Sequence, residues 1–173
     1  MSHHLTQDYG LKNVSVLMDR PPKRYSPLNQ EQQDLFLQTL DETRSVDRST
    51  TKILVTSTSY TADEPLEPLL SALSSYSDSL DPALPHILLL ITGRGPMQEG
   101  YRQIIAQSTM AHDKEGKCTI RMLWLKPEDY PKLLACADLG ISLHKSSSGM
   151  DFPMKIIDLY GCGIPVCAAN FDA

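Results

Sequence analysis

The sequence is poor in aromatic side chains, which make up 6% of its 173 residues, and it carries no excess of positive charge. A formal net charge of -5 and a pI near 5.5 argue against a broad electrostatic grip on nucleic acid, which needs clustered lysine and arginine. Local basic groups still suffice for one small diphosphate. Long apolar runs are also missing: the longest strongly apolar stretch, residues 87–91, falls far below the roughly 20 residues of a bilayer-crossing helix. Residues 1–10 are polar and include His3 and His4, with no basic start and apolar stretch of the kind a secretory signal needs. The four cysteines, Cys118, Cys136, Cys162 and Cys167, form no C-x-x-C pair and sit mostly in apolar runs, as expected of reduced, buried thiols. Neither H-x-x-x-H spacing nor a Cys–His–acid set occurs, so no metal site and no nucleophile is expected, and no catalytic residue is assigned.

What is present is a regular alternation after residue 52. Apolar strands are predicted at 53–56, 87–91, 119–123, 139–143 and 164–168, with amphipathic helices at 64–76, 97–108, 128–136 and 154–160 between them. Strands that read as continuous apolar runs and alternate with helices belong in a parallel sheet covered on both faces. The expected fold is therefore α/β, a doubly wound Rossmann-like domain over residues 52–173. Residues 1–51 are expected to be an extension and linker with one short strand at 14–18, ended by Pro21 and Pro22, and a weak helix at 31–40.

In such a sheet, ligands bind beyond the carboxyl ends of the strands near the reversal of strand order. The loops at those ends are polar. Ser57 and Thr58 follow the first strand, and Gly93, Arg94 and Gly95 follow the second, where two glycines permit a tight turn and close backbone approach. That loop can face a nucleotide or be turn chemistry alone, and Arg94 can reach a phosphate or stay solvated. His144, Lys145, Ser147, Ser148 and Gly149 lead into a helix that carries Asp151, Lys155 and Asp158 near its start. Free N–H groups and the helix dipole there attract anions, so the segment outlines a diphosphate cradle, against a plainer reading of Asp151 as an N-cap. Lys155 can neutralise phosphate and Asp158 accept ribose hydroxyls, or the two can form a local ion pair. Thr61 to Glu64 fits a capping box, and Trp124, the only tryptophan, opens the polar loop after the third strand and is expected in the core in preference to serving as a base-stacking platform.

The run from Ser146 to Asp158, followed by Gly161-Cys162-Gly163-Ile164-Pro165-Val166, resembles the chitobiosyldiphosphodolichol beta-mannosyltransferase family. Residues 56–64, 91–96, 128–131 and 137–140 resemble it too, so that the likeness runs from about Val14 to Ala173. The resemblance implies the C-terminal, donor-binding lobe of a GT-B glycosyltransferase of family 33. It implies GDP-mannose as donor, no tightly bound cofactor, and a dolichol-diphosphate-linked GlcNAc disaccharide as acceptor. The reaction implied is inverting, on the cytosolic face of the endoplasmic reticulum, in company with other early N-glycan glycosyltransferases. Relatives place two glutamates at the donor site. Asp158 matches the second, and Asp151 lies near the first with the spacing shortened by one. An acceptor lobe and membrane anchor precede this portion in relatives, so the chain alone is expected to bind donor weakly and not to turn over. The alternatives are a non-enzymatic truncated paralogue that binds nucleotide or a partner enzyme, and a lobe that uses UDP-linked donors.

Overall fold

The computed structural model describes residues 2–15, 17–111, 117–146 and 153–170. Its elements, in chain order, are α1 (Ser2–Tyr9), α2 (Gln30–Leu37), β1 (Thr51–Ser57), α3 (Glu67–Ser77), β2 (His86–Thr92) and α4 (Gln98–Gln107). There follow a 3₁₀ turn (Thr109–Ala111), β3 (Cys118–Leu123), α5 (Tyr130–Ala135), β4 (Leu139–Ser142), α6 (Met154–Gly161) and β5 (Val166–Ala168). All the strands pair in parallel, in the order β3-β2-β1-β4-β5, so the fold is the expected Rossmann-like α/β sheet.

Side-chain alternation along the central strands divides the core in two. Ile53, Val55, Leu88 and Leu90 point to one face, where they meet Phe36 and Leu37 of α2, Leu133 and Leu134 of α5 and Leu159 of α6. Ile87, Leu89 and Ile91 point to the other, against Leu69 and Leu73 of α3 and Tyr101 and Ile105 of α4. Each of these leucines and isoleucines contributes roughly 1.5–3 kcal/mol by leaving water, which explains why both faces of the strands are apolar.

The chain before β1 is packed onto the first face. Tyr25 joins that cluster, Gln33 donates to the Ala135 carbonyl at 3.0 Å, and Arg48 meets Asp138 at 3.1 Å. The strand expected at 14–18 does not form: Val14, Ser15, Leu17 and Met18 join no ladder, and Leu17 is 94% exposed. Met18 is exposed as well, so the apolar residues of this stretch bury no strand face.

The capping box expected at Thr61 to Glu64 is also absent. α3 starts at Glu67 and its N-cap, Leu66, makes no side-chain bond. Pro65 follows Glu64 and disfavours helical backbone at the residue before it, which delays the helix and frees the Glu64 side chain to turn inward. A capping box exists instead at α2, where the Asn29 side chain accepts from Gln32 N and the Gln32 side chain accepts from Asn29 N. Among the described residues no helix is long and apolar enough to cross a membrane.

Candidate functional site

From β1 the chain steps to β2 and β3 on one side, whereas β4 and β5 lie on the other. The order therefore reverses between β1 and β4, and the loops after those strands part there to leave a crevice. A cleft of about 390 Å³ opens above the carboxyl ends of β1, β2 and β3, lined among others by Ser57, Thr58, Gly93, Arg94, Trp124 and Lys155. A second of about 360 Å³, more polar in its lining, shares Ser59 and Lys155 with it and adds Asp63, Glu64 and His144.

The wall formed by the loops after β1 and β2 is fixed by backbone contact. Thr58 N donates to Thr92 O at 2.9 Å and Met97 N to Tyr60 O at 3.0 Å. A Cβ at Gly93, whose φ is +135°, would lie 1.8 Å from the Thr58 carbonyl oxygen, and one at Gly95 would lie 1.6 Å from that of Ser59. These glycines are thus required by loop-on-loop packing, whatever ligand the loops face. Tyr60 sits between the loops with φ of 51°, fully buried, its phenol pushed up to about 12 by that burial.

Glu64 locks the same wall to the far side of the crevice. Only 5% exposed, it accepts through Oε2 from Thr58 Oγ1 at 3.1 Å, Ser59 N at 2.6 Å and Ser59 Oγ at 2.8 Å. Its Oε1 pairs with the Lys155 ammonium, with His144 Nδ1 3.8 Å away. Burial alone would raise this carboxyl, but Lys155 and the Ser59 donors outweigh it and hold it below its ordinary value. Asp63 is held low as well, chiefly by a hydrogen bond from Thr61, with His144 and Lys155 adding to the effect.

Of the residues singled out from the sequence, Ser57, Thr58, Gly93, Arg94 and Lys155 converge on the larger cleft. His144 stands beside the smaller one, 3.4 Å from Asp63. Gly95 lies in the supporting loop, and Lys145 is exposed, with its N–H donating to Asp63 O at 2.8 Å. Ser147, Ser148, Gly149 and Asp151 lie outside the described residues. α6 is capped by Pro153 without a side-chain bond.

Asp158 lines neither cleft; it lies near Tyr25 and Arg24, and burial raises its pKa above its ordinary value against the lowering effect of those two side chains. The local Lys155–Asp158 ion pair therefore does not form. Lys155 pairs with Glu64 instead.

Sequence reasoning missed Ser59, Glu64, Trp124 and Tyr130. Tyr130 is half-buried and its hydroxyl lies 2.8 Å from Ser57 Oγ, so α5 buttresses the end of β1. Trp124 is not in the core: it is 57% exposed, because it falls one residue past the end of β3, already in the loop at the carboxyl edge. That position was a usable signal. Cys118, Cys136 and Cys162 are buried and Cys167 is exposed, all as free thiols. Burial pushes Cys136 and Cys162 up to about 12 and about 11, which makes them poor nucleophiles. No group of three or more metal-ligating side chains occurs among the described residues.

The parallel sheet with a crevice at its reversal point defines an α/β domain with the fold of a glycosyltransferase C-terminal lobe. It matches the C-terminal domain of a glycosyl transferase group 1 family protein (LpcC) from Francisella tularensis with a TM-score of 0.52, over 87% of this chain and 70% of that one. At 12% identity this likeness concerns the fold alone.

The sequence narrows the class. The chain is 42% identical over 183 residues to the chitobiosyldiphosphodolichol beta-mannosyltransferase of Candida glabrata, covering 99% of this chain and 39% of that protein. It is 40% identical to the one from Candida albicans, over 100% of this chain and 37% of that protein, and 48% identical to the mouse one, over 69% and 24%. The chain belongs to the chitobiosyldiphosphodolichol beta-mannosyltransferase family, and it spans under two fifths of the length of these relatives. No protein-family model matches it.

Proposed function

We propose that this chain is the donor-binding part of an inverting mannosyltransferase that moves mannose from GDP-mannose to dolichol-diphosphate-linked GlcNAc2. The relatives' name states the sugar and the acceptor, and the nucleotide follows from the family resemblance. The transfer belongs to N-glycan precursor synthesis on the cytosolic face of the endoplasmic reticulum. A cleft of about 390 Å³ falls within the roughly 300–1,000 Å³ of small-molecule sites.

One observation carries this reading: Lys155, from the helix after β4, reaches the cleft beside Ser57 and Gly93 above the carboxyl ends of β1 and β2, next to the reversal point of the sheet. An ammonium there, next to the Ser57 and Ser59 hydroxyls, neutralises the charge that gathers on the diphosphate as the glycosidic bond breaks. The family resemblance gives Asp158 the ribose hydroxyls; in this structure it faces Tyr25 and Arg24 outside the cleft, so that contact requires the carboxylate to turn toward the cleft. The family resemblance assigns Ser147, Ser148, Gly149 and Asp151, which lie outside the described residues, to phosphate binding. Inversion also needs a base to take the acceptor's proton and a surface to position the acceptor. With under two fifths of its relatives' length, the chain supplies the donor half of that chemistry.

Calorimetry tests this. GDP and GDP-mannose give binding heat and UDP gives less. Lys155→Ala weakens GDP roughly 10- to 100-fold, as loss of a charge-assisted hydrogen bond does, and Asp158→Ala weakens it less. Parent-like binding by Lys155→Ala defeats the assignment. The 173-residue chain alone yields no mannosylated lipid from GDP-mannose and a lipid-linked chitobiose, and product in that assay would show that the chain also positions acceptor.

A further inference from the structure

The only tryptophan in the sequence stands at the mouth of the larger cleft, with 57% of its surface in solvent. Single exposed apolar side chains are common, and what sets this one apart is its place in the lining of the cleft. Arg94, in the loop after the neighbouring strand, sets its guanidinium 4.3 Å from the centroid of the indole. Both residues line the same cleft as Lys155, so a ligand whose phosphates meet that lysine can extend its other end to the indole.

The two side chains differ in what they can read. An indole face stacks on any nucleobase. A guanidinium carries only donors, in a planar fork, and guanine offers two adjacent acceptors, O6 and N7, that such a fork meets bidentately. Adenine places an amino donor beside N7, and the fork meets no such acceptor pair there. We propose that Trp124 and Arg94 form the nucleobase subsite of the cleft: the base takes the place over the indole that the Arg94 guanidinium holds in this structure, and the displaced guanidinium, beside the base edge, selects guanine over adenine. This rests on reading the cleft as a site for a nucleoside diphosphate sugar, and it adds the base and the residue that chooses it.

The lone tryptophan is its own reporter. In the parent chain, GDP changes the Trp124 emission with the same midpoint that calorimetry gives. Trp124→Ala weakens GDP, ADP and UDP alike by about tenfold or more, and Trp124→Phe by less. Arg94→Gln weakens GDP by about 5- to 100-fold and leaves UDP within about twofold. Both side chains are exposed, so the variants keep the parent's circular dichroism and urea midpoint.

If GDP binds with heat but the emission stays constant and the variants bind like the parent, the base lies elsewhere, and the donor reading survives without this subsite. If Arg94→Gln weakens GDP and UDP equally, Arg94 is a phosphate contact and the selectivity claim is wrong. If the parent gives no heat with GDP, the donor reading fails and this inference falls with it.

Discussion

Glu64 lies in the cleft wall and Asp158 faces Tyr25 and Arg24 outside both clefts, and their environments push the two carboxylates in opposite directions. Glu64 is the more buried, yet its pKa is lowered, whereas that of Asp158 is raised. Depth would predict the reverse. Four donors converge on Glu64, from Thr58, the Ser59 N–H and hydroxyl, and Lys155. Asp158 has the Tyr25 hydroxyl and the more distant charge of Arg24, which do not offset its desolvation. Partners, more than burial, decide whether each carboxylate is at ease with its charge. Glu64 holds the walls of the cleft together, whereas Asp158 keeps an incompletely compensated charge.

The largest effect expected from breaking this contrast is at Glu64. Glu64→Ala leaves the Lys155 ammonium without its carboxylate and strips the loop after β1 of its acceptor. Breaking a well-buried pair costs about 3–5 kcal/mol. With the Lys155 side chain 32% exposed, water recovers part of this, and a loss of about 2–3 kcal/mol is expected in urea unfolding at pH 7. Lys155→Ala costs about 1–2 kcal/mol, since Glu64 keeps its Ser59 and Thr58 donors. The double variant is more stable than the sum of the single losses predicts. Strict additivity would mean that the ion pair contributes nothing.

The pH dependence follows with a definite sign. A carboxyl whose folded pKa is depressed contributes stability that is fully present above its unfolded value, 4.5 for Glu64, and is lost as pH falls through the lower folded value. The urea midpoint of the parent therefore drops below about pH 4.5, and Glu64→Gln flattens that part of the curve. A variant curve as steep as the parent's would assign the acid loss to other groups.

The same two residues show how far the sequence could be read. Apolar runs alternating with amphipathic stretches gave every strand of the sheet and each helix between them, because those patterns are local and the core enforces them on both faces. Asp158 was visible through its place in a motif. Glu64 was not. Its meaning lies in Lys155, far along the chain on the opposite side of the reversal point, and three residues after a threonine it imitates a capping residue. Trp124 was legible as the start of the loop after the third strand, yet the core was preferred to a base-stacking platform because an isolated tryptophan is most often buried, and its exposure corrects that. The strand expected at 14–18 shows the converse: apolar residues that bury no strand face make no strand.

Asp158 gives a smaller effect of the opposite sign. A carboxyl with a raised folded pKa contributes stability below its unfolded value, 3.8, and loses it as pH rises through the folded value. Asp158→Asn removes the unfavourable charge while its side-chain oxygen still accepts from Tyr25. It is expected to stabilise the chain at pH 7 by less than about 1 kcal/mol and to change nothing near pH 3. If the proposed ribose contact is right, the variant also binds GDP more weakly, so stability and binding move in opposite directions. A variant that is destabilised at pH 7 would mean that Arg24 and Tyr25 hold the carboxylate more firmly than its raised pKa implies.

The smallest effect extends the series to a polar group with no partner. The Tyr60 hydroxyl is buried and makes no hydrogen bond among the described residues, although the ring packs 6.1 Å from that of Tyr101. Burying an unpaired hydroxyl costs about 1–3 kcal/mol, partly offset by the contacts its oxygen makes with the surrounding atoms. Tyr60→Phe keeps the ring, the backbone and the loop contact through Met97 while removing that oxygen. The variant is expected to gain about 0.5–1 kcal/mol in urea unfolding, with no dependence on pH from 5 to 8, because the phenol does not titrate there. A loss of stability would show that the hydroxyl has a partner after all, and Tyr60 would then stand with Glu64 as a residue that holds the cleft by its polar end.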